Sequence, residues 1–161
     1  MIFYLSGPIE YSADLGKGWR AEITPLLNSL GHDVYDPAED EIKNLTEIEV
    51  REFRSWKKSD LSRFQGAIRK IIAYDLDKIE HHCNAIICYW DQNAGRGAGT
   101  QGELTYAHRL EIPVYLICVI PVEKVSGWLL GCATEVFPNV ESFRDFISRN
   151  PAARMATEGH S

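Results

Sequence analysis

The sequence predicts an α/β domain, a three-layer sandwich in which helices cover both faces of a five-stranded parallel sheet with a Rossmann-like or flavodoxin-like strand order. Three observations predict it. Short apolar runs alternate with longer segments of helical spacing along the chain. The inner runs are apolar on both faces, as strands of a covered parallel sheet are. Finally, 161 residues with 45% hydrophobic content suit one core rather than two. The domain is read as residues 1–149, followed by a flexible tail at 150–161.

Residues 2–6, Ile2-Phe3-Tyr4-Leu5-Ser6, form the first strand. Gly7-Pro8 stops it, because neither residue easily continues a ladder. Leu15, Trp19, Ile23, Leu26, Leu27 and Leu30 then recur at helical spacing, and Gly31 closes that helix. His32-Asp33-Val34-Tyr35 is the second strand, broken by Asp36-Pro37, and the acidic stretch to about residue 48 reads as a solvated loop. From Leu61, the positions of Phe64, Ile68, Ile71, Ile72, Leu76 and Ile79 predict a long helix ending near His81-His82, where cations suit a C-terminus. Ala85 to Trp90 is the third strand. A glycine-rich loop follows, then a helix from about Glu103 to Leu110, then a strand from Val114 to Val119 that is apolar on both faces. A last short strand, Glu135-Val136-Phe137, leads to Asn139 as N-cap and a helix with Val140, Phe143, Phe146 and Ile147 inward.

Seventeen basic against twenty-three acidic residues give a net charge of -6 with no basic stripe, a field that disfavours DNA or RNA. No apolar run reaches the roughly 18 residues of a membrane helix, and Met1 leads into Ile2-Phe3-Tyr4-Leu5 with no basic leader region. A cytoplasmic protein is expected, with neither a nucleic acid polymer nor a membrane as partner. Cys83, Cys88, Cys118 and Cys132 have no C-x-x-C spacing and read as buried free thiols. His81, His82 and His108 read as surface residues, so no metal is expected.

Ligands of parallel sheets bind at the carboxyl ends of the strands, near the point where strand order reverses. That rule selects Ser6-Gly7-Pro8-Ile9, Trp90-Asp91-Gln92-Asn93 and the run Gly95-Arg96-Gly97-Ala98-Gly99-Thr100-Gln101-Gly102-Glu103. Four glycines in the last run let backbone approach a ligand closely, but the spacing fits neither a P-loop nor G-x-G-x-x-G. Glu103 is expected in the first helical turn, where free N–H groups favour its charge and suit it as a nucleophile. Taken alone, it reads as a glutamate that complements the helix dipole. Asp75 lies four residues from both Ile71 and Ile79, on the apolar stripe of its helix. Partial burial there would raise its pKa and let it hold a proton; a helix-end aspartate reaching solvent is an even alternative. Tyr4 carries a hydroxyl into a buried strand, where it either packs or finds a partner, Glu103 being the candidate. Asp91 stands at the ligand edge or forms a turn, and Trp90 and Trp128 suit either stacking on a planar base or core packing.

Tyr4-Leu5-Ser6-Gly7-Pro8-Ile9, Asp75-Leu76, the strand Ala85 to Trp90, Gly99-Thr100-x-x-Glu103 followed by Tyr106-Ala107, and Pro113 to Ile117 fall in a familiar order. Over nearly the whole domain the chain resembles the nucleoside 2-deoxyribosyltransferase superfamily, which includes the 2-deoxynucleoside 5'-phosphate N-hydrolases. The resemblance implies that Glu103 attacks C1' of the sugar and displaces the base, and that a second base or water resolves the glycosyl-enzyme with retention of configuration. It implies further that Asp75 assists the leaving base or contacts the substrate, and that Tyr4 orients the nucleophile. With the sheet-edge argument it assigns Ser6, Gly7, Pro8, Ile9, Trp90, Asp91, Arg96, Gly97, Gly99 and Thr100 to binding a small-molecule nucleoside or nucleotide. No cofactor is implied, and the relatives' assembly implies a homo-oligomer.

Two positions depart from the pattern of relatives that act on nucleotides: Glu10 stands where they tend to carry arginine, and Gly97 where they carry serine. A phosphate site built that way is absent, leaving Arg96, Lys17 or Arg20 as the cations that would replace it. The leading expectation is transfer of 2-deoxyribose between bases. The alternatives are hydrolysis of deoxynucleoside monophosphates, a phosphoribohydrolase suggested by Gly97-x-Gly99-Thr100-x-x-Glu103, and a nucleotide-sensing module without turnover.

Overall fold

In the computed structural model, which describes residues 1–10, 12–40 and 42–149, strands and helices follow one another as β1 (Ile2–Ser6), α1 (Lys17–Ser29), β2 (Asp33–Tyr35), α2 (Glu47–Ser59), α3 (Leu61–His81), β3 (Ala85–Trp90), α4 (Gly99–Arg109), β4 (Val114–Cys118), α5 (Gly127–Cys132), β5 (Glu135–Phe137) and α6 (Val140–Arg149). The tail expected from residue 150 onward lies outside the described residues. All strand pairs are parallel, in the order β2-β1-β3-β4-β5. Of the two expected topologies this is the flavodoxin-like one, whose order reverses between β1 and β3.

Alternation along the strands sorts side chains to the two helical layers. Phe3, Leu5, Ala85, Ile87 and Ile117 face Trp19, Ile23 and Leu27 of α1 and Phe143 and Ile147 of α6. Tyr4, Ile86, Cys88, Trp90 and Leu116 face the other way, onto Ile79 of α3, Leu104 and Ala107 of α4 and Leu129 of α5. Tyr4 and Ser6, two residues apart on β1, therefore share the face covered by α3 and α4. All four cysteines are free and buried, as the sequence predicts. Burial also pushes the Cys83 thiol up to about 11, which keeps it protonated and unreactive.

Two glycines let the first loop pack tightly against α1. A Cβ on Gly7 would lie 2.9 Å from the Trp19 ring and 3.1 Å from the Tyr89 carbonyl oxygen. Gly16 has φ +72°, and a Cβ there would meet the Pro8 carbonyl oxygen at 2.3 Å and an Arg20 guanidinium nitrogen at 2.2 Å. Arg20 is 2% exposed and donates to the Gly16 and Leu5 carbonyls at 3.0 and 3.3 Å, while its Nε lies 3.0 Å from Asp36 Oδ1. Burial lowers its pKa, an effect that Asp36 and Glu103 oppose.

Several elements differ from expectation. The helix bearing Glu103 starts at Gly99, not at Glu103: the Gly102 N–H already bonds to the Ala98 carbonyl at 2.9 Å, and the buried pair Thr100 and Leu104 holds these turns against the sheet. The two glycines lower helix propensity without stopping the helix. Helix α2, which starts where the stretch read as a solvated loop ends and for which no element was expected, buries just Trp56 along its length. Its beginning is set by a capping box in which Thr46 Oγ1 accepts from the Glu49 N–H at 3.3 Å and Glu49 Oε2 accepts from the Thr46 N–H at 2.8 Å. Trp56 and Leu45 pack with Ala67 of α3 as a small satellite cluster. Helix α5 was likewise not expected, and its Trp128 is 70% exposed rather than in the core, its ring N–H donating to Thr105 Oγ1 at 3.0 Å.

Candidate active site

The reversal of strand order opens a cavity of about 260 Å³ at the carboxyl ends of β1 and β3. Four parts of the chain line it: Gly7 to Glu10 after β1, with Arg20 behind them; Pro37 and Lys43 after β2; Ile71 and Asp75 on α3; and Asn93, Ala94 and Gly97 to Thr100 leading to Glu103 on α4. Of the residues expected from the sequence, Gly7, Pro8, Ile9, Gly97, Gly99, Thr100, Asp75 and Glu103 meet here.

Glu103 is fixed by the first strand. Its Oε1 accepts from the Tyr4 hydroxyl at 2.8 Å and its Oε2 from the Ser6 hydroxyl at 2.5 Å. Both donors are fully buried, and both reach α4 because i and i+2 on a strand point the same way. Because α4 begins four residues earlier than expected, Glu103 stands in the second turn, beyond the strongest influence of the free N–H groups. The side chains of β1, rather than the helix terminus, hold its carboxylate. Ser6, expected among the substrate-binding residues, is a second donor to Glu103 and is not part of the cavity lining. Burial, then the Glu103 carboxylate, push the Tyr4 pKa well above its ordinary value, so its hydroxyl remains a donor.

Asp75 is 8% exposed, on the inner face of α3 as the stripe argument predicts. Burial pushes its carboxyl up to about 6, opposed by Lys43 and reinforced by Glu103 and Asp40. The Lys43 ammonium bonds to Oδ2 at 2.9 Å. It lies at the same 2.9 Å from Oδ1, but outside hydrogen-bonding geometry. Oδ1 is thus buried without a hydrogen-bond donor among the described residues.

Lys43 was not singled out from the sequence, although it is the lone cation in the acidic stretch from Asp33 to Val50. Its backbone and that of Asn44 are left-handed, with φ 38° and 61°. Asp40 braces this loop: its Oδ2 accepts from the Tyr35 hydroxyl at 3.1 Å and the Tyr74 hydroxyl at 2.9 Å, and its Oδ1 from the Lys43 N–H at 3.4 Å. The supposed solvated loop is therefore a wall of the cavity.

Three expected residues lie elsewhere. Trp90 is 5% exposed, within the core layer beneath α4. Asp91 accepts from the N–H groups of Asn93 at 2.7 Å and Ala94 at 3.0 Å, which is the turn-forming alternative. Arg96 is exposed on a single 3-10 turn, Ala94–Arg96, outside the cavity lining. Among the described residues no group of three or more His, Cys, Asp or Glu is placed to hold a metal, and no helix is long and apolar enough to cross a membrane.

Fold and site together define a flavodoxin-like α/β protein with two carboxylates facing one cavity at its topological switch point. No protein-family model and no curated protein sequence matches the chain. Among solved structures its fold is that of 2-deoxyribosyltransferases. One is the enzyme of the psychrotolerant bacterium Bacillus psychrosaccharolyticus, described as a biocatalyst for nucleoside synthesis, at 19% identity, a TM-score of 0.58 and coverage of 96% of this chain and 95% of that one. Another is the 2-deoxyribosyltransferase of Leishmania mexicana, at 18% identity and a TM-score of 0.57, covering 92% and 98%.

Proposed function

We propose that the protein cleaves the N-glycosidic bond of 2'-deoxynucleosides through a covalent glycosyl-Glu103 intermediate and transfers the deoxyribose to another base. The observation that carries this reading is the carboxylate pair. Glu103, held at both oxygens by Tyr4 and Ser6, lines the same cavity as Asp75, and burial lets Asp75 hold a proton to about pH 6. Two carboxyl groups with separated proton affinities divide the roles of nucleophile and acid.

In the first step a Glu103 oxygen bonds to C1' as the C1'–N bond breaks. The bonding pair passes to the base, and the proton on Asp75 neutralises it. In the second step the incoming base gives its proton to Asp75 and attacks C1', releasing Glu103. Two inversions leave the sugar configuration unchanged. Asp75, whose carboxyl is buried and pushed upward by that burial, is the group suited to carry the proton.

Glu10 in the lining is ion-paired with Lys57 at 3.0 Å and the Arg20 guanidinium is already bonded to the chain, so we propose an uncharged 5' end rather than a phosphate. The test supplies a 2'-deoxynucleoside or its 5'-monophosphate, with and without an acceptor base, and follows free base and new nucleoside by chromatography. Transfer predicts a new nucleoside only when acceptor is present. Base release from the monophosphate alone would make the protein a nucleotide hydrolase, and no release from either compound would defeat both readings.

A further inference from the structure

Lys43 is the cation in the cavity that the proposed chemistry leaves without a task. Arg20, also in the lining, spends donors on the Gly16 and Leu5 carbonyls and faces Asp36. The Lys43 side chain is 11% exposed, and its ammonium carries three donors, of which Asp75 Oδ2 takes one in good geometry. Bringing it there holds Lys43 itself in left-handed backbone at φ 38°, a conformation that a lysine keeps only where surroundings enforce it, followed by Asn44, a residue type that adopts the same region readily. Asp40 supplies that enforcement from one side, through Tyr35 and Tyr74. Leu45, 8% exposed against Trp56 and Ala67, supplies it from the other. A lysine held in a strained, braced loop at the wall of a cavity is placed for something that enters the cavity.

We infer that Lys43 reads the base, donating a hydrogen bond to a carbonyl oxygen while the neighbouring Asp75 carboxyl donates to the adjacent ring nitrogen, so that 6-oxopurine 2'-deoxynucleosides are the preferred substrates. The inference rests on the reading of this cavity as a base-releasing site. An ammonium and a carboxylic acid in contact form two adjacent donors. Hypoxanthine and guanine offer two adjacent acceptors, N7 and O6, whereas adenine offers N7 beside an amino donor at N6. The Lys43 charge also stands where the O6 of a departing base gathers negative charge. In the balanced step the C1'–N9 pair enters the purine ring, the Asp75 proton goes to N7, and Glu103 bonds to C1'. The base leaves as its neutral N7–H form.

The test compares kcat/KM for 2'-deoxyinosine and 2'-deoxyadenosine in the parent, Lys43→Met and Lys43→Arg, alongside calorimetric binding of free hypoxanthine and adenine to the same proteins. The parent is expected to prefer deoxyinosine by about 10- to 100-fold, the range of one well-matched pair of base contacts. Lys43→Met should bring that ratio near unity, and Lys43→Arg should restore part of it. A lysine that only braces the loop would alter both substrates alike, and a ratio that survives in Lys43→Met overturns the inference, as does a parent without preference. If the parent cleaves neither nucleoside, the base-releasing reading fails, and calorimetry still decides Lys43's role. Tighter binding of hypoxanthine than adenine, lost in Lys43→Met, supports it, and equal or absent binding refutes it. The parent's own preferences keep the test decisive should Lys43→Met fail to fold.

Discussion

Replacing Tyr4 by Phe removes one oxygen from a fully buried ring that packs against Tyr35, with ring centroids 5.5 Å apart. The ring remains, so the fold should persist. What is lost is the 2.8 Å hydrogen bond to Glu103 Oε1, leaving Ser6 as the donor to the carboxylate. A hydrogen bond to a charged group contributes about 1.5 to 3 kcal/mol, and each 1.36 kcal/mol is tenfold in rate. Loss of orientation at the nucleophile should therefore lower kcat/KM by about 10- to 100-fold. Because burial and Glu103 keep the Tyr4 hydroxyl protonated far into the alkaline range, the loss should be the same from pH 5 to pH 9. Steady-state kinetics of base release at several pH values, with a thermal melt to verify folding, measures it. Activity within twofold of the parent, or a loss that varies with pH, would refute the assignment of Tyr4 as the residue that orients Glu103.

Asp75→Asn should slow base release about 10²- to 10⁴-fold, the usual contribution of a positioned acid. In the parent, single-turnover release should fall as pH rises through about 6, where Asp75 loses its proton, and this limb should vanish in the variant. The same shift has a stability signature. A carboxyl raised from 3.8 to about 6 binds its proton more tightly in the folded than in the unfolded chain. The parent should therefore gain stability relative to Asp75→Asn as pH falls from about 6 to 4, and lose that gain as pH rises; urea titrations across this window give the sign. Gly16→Ala, which places a Cβ 2.3 Å from the Pro8 carbonyl oxygen at φ +72°, should cost about 1 to 3 kcal/mol in denaturant unfolding. Thr46→Ala should cost about 1 kcal/mol by the same assay, through loss of the capping box at α2.

The strands were legible because a covered parallel sheet demands residues apolar on both faces, and Ala85 to Trp90 and Val114 to Cys118 satisfy that demand without ambiguity. Helix α2 was missed although signals were present: Val50, Phe53 and Trp56 recur three residues apart and pack in one cluster with Ala67 of α3, and Thr46 and Glu49 mark the helix start. The start of α4 was hidden by Gly99 and Gly102, which weaken helix propensity in isolation and are overruled by the packing of Thr100 and Leu104.

In the site, position brought Glu103, Asp75 and Tyr4 forward as candidates, each beside a plainer structural reading, and the resemblance joined them; the fold sets Tyr4 against Glu103 and places Glu103 and Asp75 in one cavity lining. The pairing of Ser6 with Glu103 follows from the same two-residue period as Tyr4 and was within reach of the sequence. Lys43 was not. Its place at Asp75 depends on a loop whose left-handed residues are neither glycine nor part of any pattern, and on contacts between residues more than thirty positions apart. Trp128 shows the converse, an aromatic residue that looks like core or ligand stack in sequence and stands in solvent in the fold.

Mass spectrometry of the protein mixed with a 2'-deoxynucleoside, without acceptor, and quenched in acid within the first turnover tests the central claim most directly. The account predicts a deoxyribosyl group on the peptide that contains Glu103, formed in step with free base and discharged when an acceptor base is added. Neither the adduct nor the free base should form in Glu103→Gln. Free base released without any adduct on Glu103, or released at the parent's rate by Glu103→Gln, would contradict the assignment of Glu103 as the nucleophile.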